Sequence, residues 1–468
     1  MSTDMSLQNI VKAMLNEALA TGADFAEVYV ENKESTVISC EDGKIEKINT
    51  GIDQGVGIRV IAGERTAYMH SNELSLPKGL ELARLAREIA NEKKEIKQVF
   101  KFNSTAVAQE AEVELRPDEV DFEDKISLLR EADQAARSVS DTICQVSIGY
   151  SDVTQRICVA NSLGTYIEDE RIRIRLACNS IARRDDLIQT GFASAGGTCG
   201  FELFEEKSAA ELGRESAQRA VMLLDAEPCP TGQMTVILSS EAGGTMVHEA
   251  CGHGLEGDLV QKGLSAYAGK IGQKVASEKI TVVDDATIPG KYGSYRYDDE
   301  GNPAQKTVLI ENGILKQYMN DYETAVKNGV PFTGNGRRES YREKPVTRMS
   351  NTYIAPGTDK VEDMIASTEY GLFVKRMGGG QVNTLNGDYV FDVAEGYLIE
   401  NGKITKPVRG ATLAGNGPES LRNVEMVGDD FGYAIGTCGK YGQSAPVSDA
   451  QPTLKISGLT VGGTGKAR

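Results

Sequence analysis

The chain has 468 residues, enough for two or three domains that each bury a core of their own. A formal charge of −17 argues against nucleic acid and anionic membranes as partners, and an apolar share of 40% with no tryptophan is ordinary for a soluble globular chain. Met1–Asn9 is polar, no apolar run approaches the roughly 18–20 residues of a membrane span, and the eight cysteines lack paired spacing; together these predict a cytoplasmic protein with reduced thiols.

Leu7–Ala20 reads as an amphipathic helix stopped by Gly22, with Ile10, Met14, Leu15 and Ala18 on one face. Strand-like runs follow at Phe25–Glu31, Thr36–Glu41, Lys44–Ile48, Val56–Ala62 and Arg65–Met69, before a helix from Leu80 to about Glu95. Val99–Val113 is a connection without a strong period. Pro117-Asp118 opens a helical stretch to about Val139. Strands at Ile143–Ile148, Gln155–Ala160 and Thr165–Ser180 come next, then a helix at Glu205–Leu224. The two helix–strands–helix blocks share a layout without sharing a sequence.

The predicted fold class is α+β: helix–strand blocks at 1–100 and 101–226, then a β-rich domain at 233–468 that carries one functional helix. The boundary falls in Ala226–Gln233, where two prolines and a glycine occur within eight residues. Thr235–Ser239 is a buried-looking strand feeding that helix. Asn312-Gly313 and Asn401-Gly402, each placed between apolar runs, predict β-hairpins. The glycines Gly378, Gly379 and Gly380 lack the lysine-serine ending of a phosphate loop and suit an open strand edge, to which an extended peptide can add.

Only three histidines occur, and two stand in His248-Glu249-Ala250-Cys251-Gly252-His253. Paired imidazoles with a carboxylate after the first suit a zinc hydrolase, in which the glutamate takes a proton from the attacking water. A spacing of five leaves the rings about 140° apart on a regular helix, at 100° per residue. Both can reach one ion if a residue is extruded as a π-bulge or the helix ends between them. A helix beginning near Gly243 or Gly244 and over-long around Cys251 is therefore expected. His70 has no acidic or cysteine neighbour at ligand spacing and is read as structural. A third ligand could come from Cys251, Glu256, Asp258 or the distant Cys438, whose flanking glycines allow close approach. Tyr441, Arg342 and the amides of Gly378, Gly379 and Gly380 are candidate substrate-binding or oxyanion donors.

His248 through Asp258 resembles the H-E-x-x-x-H signature of the TldD/PmbA metalloproteases, on the TldD side. The resemblance extends to Asp298-Asp299-Glu300-Gly301, Ser340-Tyr341-Arg342, Arg348–Tyr353, Gly379–Thr384, Glu395–Gly402, Gly415-Asn416-Gly417 and the Cys438 loop. It implies one Zn²⁺ held by His248, His253 and Cys438, with Glu249 as general base. It also implies unfolded or small polypeptide substrates, such as peptide precursors and antitoxin-type regulators. A PmbA/TldE-type subunit, or a second copy of this chain, is the implied partner. Two other readings remain: a non-catalytic subunit with a structural metal, and a metal-dependent hydrolase of small molecules.

Overall fold

The computed structural model describes residues 6–90, 102, 104–106 and 113–465. The end of the helix predicted past Ala90, and most of the predicted Val99–Val113 connection, lie outside the described residues.

The first half of the chain builds one seven-stranded sheet. Its strands are β1 (Phe25–Glu41), β2 (Lys44–Ala62), β3 (Arg65–Ser71), β4 (Ser104–Ala106), β5 (Ile143–Asn161), β6 (Thr165–Arg184) and β7 (Leu187–Gly197). The order is β3-β2-β1-β5-β6, with β4 and β7 both paired to β6, so strands from both helix–strand blocks join one sheet. Four helices lie on one face: α1 (Leu7–Ala18), α2 (Leu76–Ala90), α3 (Phe122–Arg137) and α4 (Ala209–Asp225). Val28, Val30, Val56 and Ile58 pack with Met14, Leu15 and Leu82 of α1 and α2. Further along the same face, Ile38, Ile148 and Leu176 pack with Leu129 and Leu212 of α3 and α4.

β1 and β2 are each one long strand where the sequence suggests two short ones. Lys44–Ile48 and Val56–Ala62 both read as strands, whereas the mostly solvated residues 49–55 between them carry no strand signal, although they continue the same strand. β5 likewise runs through Asp152, a charge that reads as punctuation; in the fold it is buried and neutralised by Lys125 of α3 at 2.7 Å. β7, to which the sequence pattern assigns nothing, is rich in Gly, Ala and Ser. The predicted helix Glu205–Leu224 breaks after Leu203–Glu206 and restarts as α4, where the Ser208 side chain accepts from the Glu211 amide.

Two β-layers form the second half. A six-stranded sheet runs Ile314–Leu315, Lys306–Glu311, Val282–Asp285, Asn351–Ile354, Gln443–Gln451, Gly432–Lys440. In the other layer, Tyr370–Asn383, Gly232–Leu238, Leu454–Gly462, Thr412–Asn416 and Asp388–Glu400 form a closed ring, because the last strand also pairs with the first. Both predicted Asn-Gly hairpins are present, with φ of 48° and 79° at Asn312-Gly313 and 53° and 72° at Asn401-Gly402. One continuous core joins the ring (Val236, Leu372) to the sheet (Val282, Leu309), with Met246, Val247, Ala250 and Cys251 between them. The chain leaving Gly232–Leu238 therefore enters its helix inside this core. No helix among the described residues is long and apolar enough to cross a membrane.

The uncovered face of the first sheet docks on this domain through buried charges. Arg59 donates to Glu27 (2.8 Å) and Glu300 (2.7 Å), Arg338 donates to the other oxygen of Glu27, and Arg171 donates to Asp299 (2.7 Å). His70 is exposed near the end of β3, edge-on to the Tyr341 ring at 6.2 Å.

Candidate metal centre

Gly243 and Gly244 turn the chain from the strand into the helix with φ of 78° and 77°. A Cβ on Gly243 would lie 2.3 Å from the Cβ of Ala434, and one on Gly244 would lie 2.4 Å from the Ala450 amide nitrogen. Both the conformation and the close approach therefore require glycine. A regular turn, Thr245–Val247, is followed by a π-turn over His248–Gly252 and a 3₁₀ turn over His253–Leu255. The His253 amide donates to the His248 carbonyl five residues back. This widened turn removes the offset that a spacing of five gives on an α-helix. The two rings meet edge to face, centroids 4.9 Å apart.

The third side chain arrives from the far end of the domain. Gly432–Lys440 and Gln443–Gln451 form a hairpin with Tyr441-Gly442 at its tip, φ 52° and 79°. Arg348, wholly buried, donates to the carbonyls of Cys438 and Gln443 and so clamps both arms. One donor atom from each of His248, His253 and Cys438 lies within 4.8 Å of the other two. The Cys438 sulfur is 3.4 Å from His253 Nε2.

Each imidazole is oriented from behind. His248 Nδ1 donates to Asp449 of the same hairpin at 2.8 Å, and His253 Nδ1 donates to Glu256 at 3.0 Å. Both Nε2 atoms are thereby left for the third side chain or a cation. Burial alone would push the Cys438 thiol up, but the neighbouring imidazoles hold it at about 4. Burial disfavours charge on the rings too, yet Asp449 raises His248 well above its usual range, and Glu256 with Cys438 raises His253 to about 9. The two rings favour thiolate over thiol at Cys438, and a divalent cation in place of ring protons would supply the same positive charge. One thiolate and two imidazoles are a donor set that suits zinc.

Other candidates fall elsewhere. Cys251 is fully buried in the core, donates weakly to the Val247 carbonyl at 3.4 Å, and has a thiol pushed up to about 12 by burial. Glu256 and Asp258 both accept from Lys440, at 3.0 and 2.6 Å. Glu249 is half-buried, and burial raises its carboxyl above the usual range. Among the described residues it has no hydrogen-bond or ion-pair partner.

Three sequence profiles, for PmbA/TldA metallopeptidase domain 1, central domain and C-terminal domain, match residues 26–90, 115–224 and 231–463. A metalloprotease TldD homologue of Haemophilus influenzae is 39% identical over 454 residues, covering 94% of this chain and 93% of its own. The chain belongs to the PmbA/TldD metallopeptidase family. A metalloprotease of Methanocaldococcus jannaschii is also 39% identical, over 92% of this chain and 96% of its own. A relative from Saccharolobus solfataricus, named a zinc metalloprotease TldD homologue, is 27% identical over 96% of this chain and 99% of its own. TldE of Thermococcus kodakarensis has the same fold, with a TM-score of 0.75 at 21% identity over 97% of this chain and 99% of that one.

The remaining residues singled out from the sequence occupy distinct places. Gly378, Gly379 and Gly380 lie in the irregular half of Tyr370–Asn383, which pairs with Asp388–Glu400 on one side and, among the described residues, with no strand on the other beyond Val374. Gly378 and Gly379 line a cavity of about 1360 Å³ between β7 and the second half, bordered also by Thr245, Tyr433 and Ser448. Tyr441 is exposed at the hairpin tip, where its hydroxyl accepts from Lys262 at 3.1 Å. Arg342 is exposed and pairs with Asp53 of β2. Sequence reasoning missed Asp449, Lys440 and Arg348 as supports of the centre. The one available signal is Asp449 itself, the lone charge in the otherwise uncharged strand Gln443–Gln451.

Proposed function

We propose that this chain is a zinc-dependent peptidase that hydrolyses peptide bonds in unfolded or small polypeptides. The observation that carries the reading is the convergence of His248, His253 and Cys438 beside a carboxylate, Glu249, that has no structural partner. A structural zinc site closes with four ligands and has no need of such a carboxylate. Zinc held by this trio would polarise a peptide carbonyl and acidify water. Glu249 takes the proton from the attacking water and delivers it to the leaving amine, and burial raises its carboxyl above the ordinary value. Gly378 and Gly379, on that strand edge, line a cavity that also borders Thr245 of the metal helix, which supports binding of extended main chain. Maturation of peptide precursors and removal of antitoxin-type regulators are the processes such an activity serves. A PmbA/TldE-type subunit or a second copy is the proposed partner, in the cytoplasm.

The test is Glu249→Ala. The variant is expected to retain one zinc per chain and to lose hydrolysis of casein, alone and with a co-expressed partner. Full activity in that variant removes Glu249 from the reaction. Zinc without hydrolysis of any polypeptide by the unaltered chain removes the peptidase reading.

A further inference from the structure

Resting on this ligand set, we infer that Lys440 is a positioning residue that latches the strand bearing Cys438 to the turn bearing His253. Lys440 stands two residues after Cys438 on Gly432–Lys440, so both side chains leave the same face, and both are buried between exposed neighbours. Its ammonium has three donors and uses all of them, on Glu256 (3.0 Å), Asp258 (2.6 Å) and the Thr347 carbonyl (2.9 Å). Glu256 and Asp258 follow His253 by three and five residues. The oxygen of Glu256 that receives Lys440 also receives His253 Nδ1 at 3.0 Å.

A single cation therefore closes a circuit: Cys438 strand, Lys440, Glu256, His253 ring, and back to the Cys438 sulfur. Glu256 is completely buried, and a carboxylate there without a partner would be strongly unfavourable. Lys440 is what allows the ring-orienting carboxylate to exist at that place. The two donors it brings together are 185 residues apart in the chain, so no local turn sets their separation. The thiolate and imidazole are thus placed by protein charges before a cation binds.

Cobalt titration of the metal-free full-length chain tests this, because a thiolate–cobalt bond gives a charge-transfer band that reports Cys438 directly. Lys440→Met is expected to fold and to bind cobalt about 10–100-fold more weakly, with a weakened charge-transfer band, as for loss of a ligand's supporting partner. Lys440→Arg, which restores the charge, is expected to recover most of both. Wild-type affinity and band in Lys440→Met overturn the latch. The control is Cys438→Ser: loss of the band there upholds the ligand set whatever Lys440 does, and retention of the band sinks the ligand set itself. If Lys440→Met does not fold, Asp258→Asn carries the test. Weakened cobalt binding in Asp258→Asn, which leaves the Glu256–His253 contact in place, supports the latch, and wild-type binding in Asp258→Asn overturns it.

Discussion

Two buried groups of charged side chains invite comparison. Where the first sheet meets the second half of the molecule, Glu27, Arg59, Glu300, Arg338, Arg171 and Asp299 pair so that each carboxylate has its guanidinium. At the metal centre the supporting charges pair in the same manner, but Glu249 does not. Burial raises its carboxyl against the pull of the His248 and His253 rings, and no hydrogen-bond donor among the described residues holds it. The paired set builds an interface, and even there burial raises Glu300 well above its usual range against the pull of Arg59. A carboxylate with no hydrogen-bond or ion-pair partner among the described residues, beside three convergent donors, is placed to exchange a proton.

The largest effect should come from the donor set. Cys438→Ala is expected to lose stoichiometric zinc and all hydrolysis, while Cys251→Ala keeps both; metal analysis of the two purified proteins decides it. The reverse result would transfer the ligand role to the cysteine that geometry has buried in the core. Next is the matched interface. Arg59→Met leaves Glu27 without one of its guanidinium partners and Glu300 without its own, both buried, and should lower stability by about 3–5 kcal/mol. Glu249→Gln, which removes a carboxylate with no partner, should stay within about 0.5 kcal/mol of wild type. Denaturation midpoints measure both. Equal losses in the two variants would erase the distinction between the groups.

That distinction was only partly legible in the chain. The histidine pair, the need for a widened turn between them and the glycines at the helix start follow from spacing and helix geometry alone. The choice of Cys438 does not. Locally, Cys251 stands nearest to His248, and only the family resemblance pointed past it; in the fold Cys251 faces the core packed between ring and sheet. Asp449 and Lys440 act across a hairpin that meets the metal helix roughly 200 positions after the first histidine, and single-chain periodicity carries no trace of such pairings. The strand signal failed in the opposite direction. In β2 the solvated residues 49–55 hid the join between two predicted runs, and in β5 the Lys125–Asp152 pair allowed a charge to sit inside a strand.

A smaller test concerns pH. Glu395, buried on Asp388–Glu400, accepts from Arg219 of α4 at 2.9 Å. Burial would raise its pKa, but the hydrogen bonds from Arg219 and Tyr397 outweigh that and hold it below the ordinary value. A carboxylate depressed in the folded state contributes stability that is present above its unfolded pKa of about 4.3 and lost as pH falls through the folded one. The stability gap between wild type and Glu395→Gln, about 1.5–3 kcal/mol for a hydrogen bond to a charged group, should be full at neutral pH. It should close in acid. Melting curves at stepped pH measure it, and a gap that widens in acid would show that Glu395 is protonated in the fold.

The smallest effect is expected at Arg342, a candidate substrate-binding residue in the sequence whose guanidinium faces solvent. It is 46% exposed, and its partner Asp53 is 43% exposed, on the solvated arm of β2. Such a pair contributes only about 0.2–1 kcal/mol, because water screens the attraction and both long side chains give up freedom to hold it. Arg342→Ala should therefore shift the melting temperature slightly and leave zinc content and casein hydrolysis unchanged. Raising the salt concentration should shrink the shift further. A large loss of hydrolysis with normal melting would instead place Arg342 on the substrate, and the exposed arm of β2 would then belong to the path by which polypeptide reaches the metal.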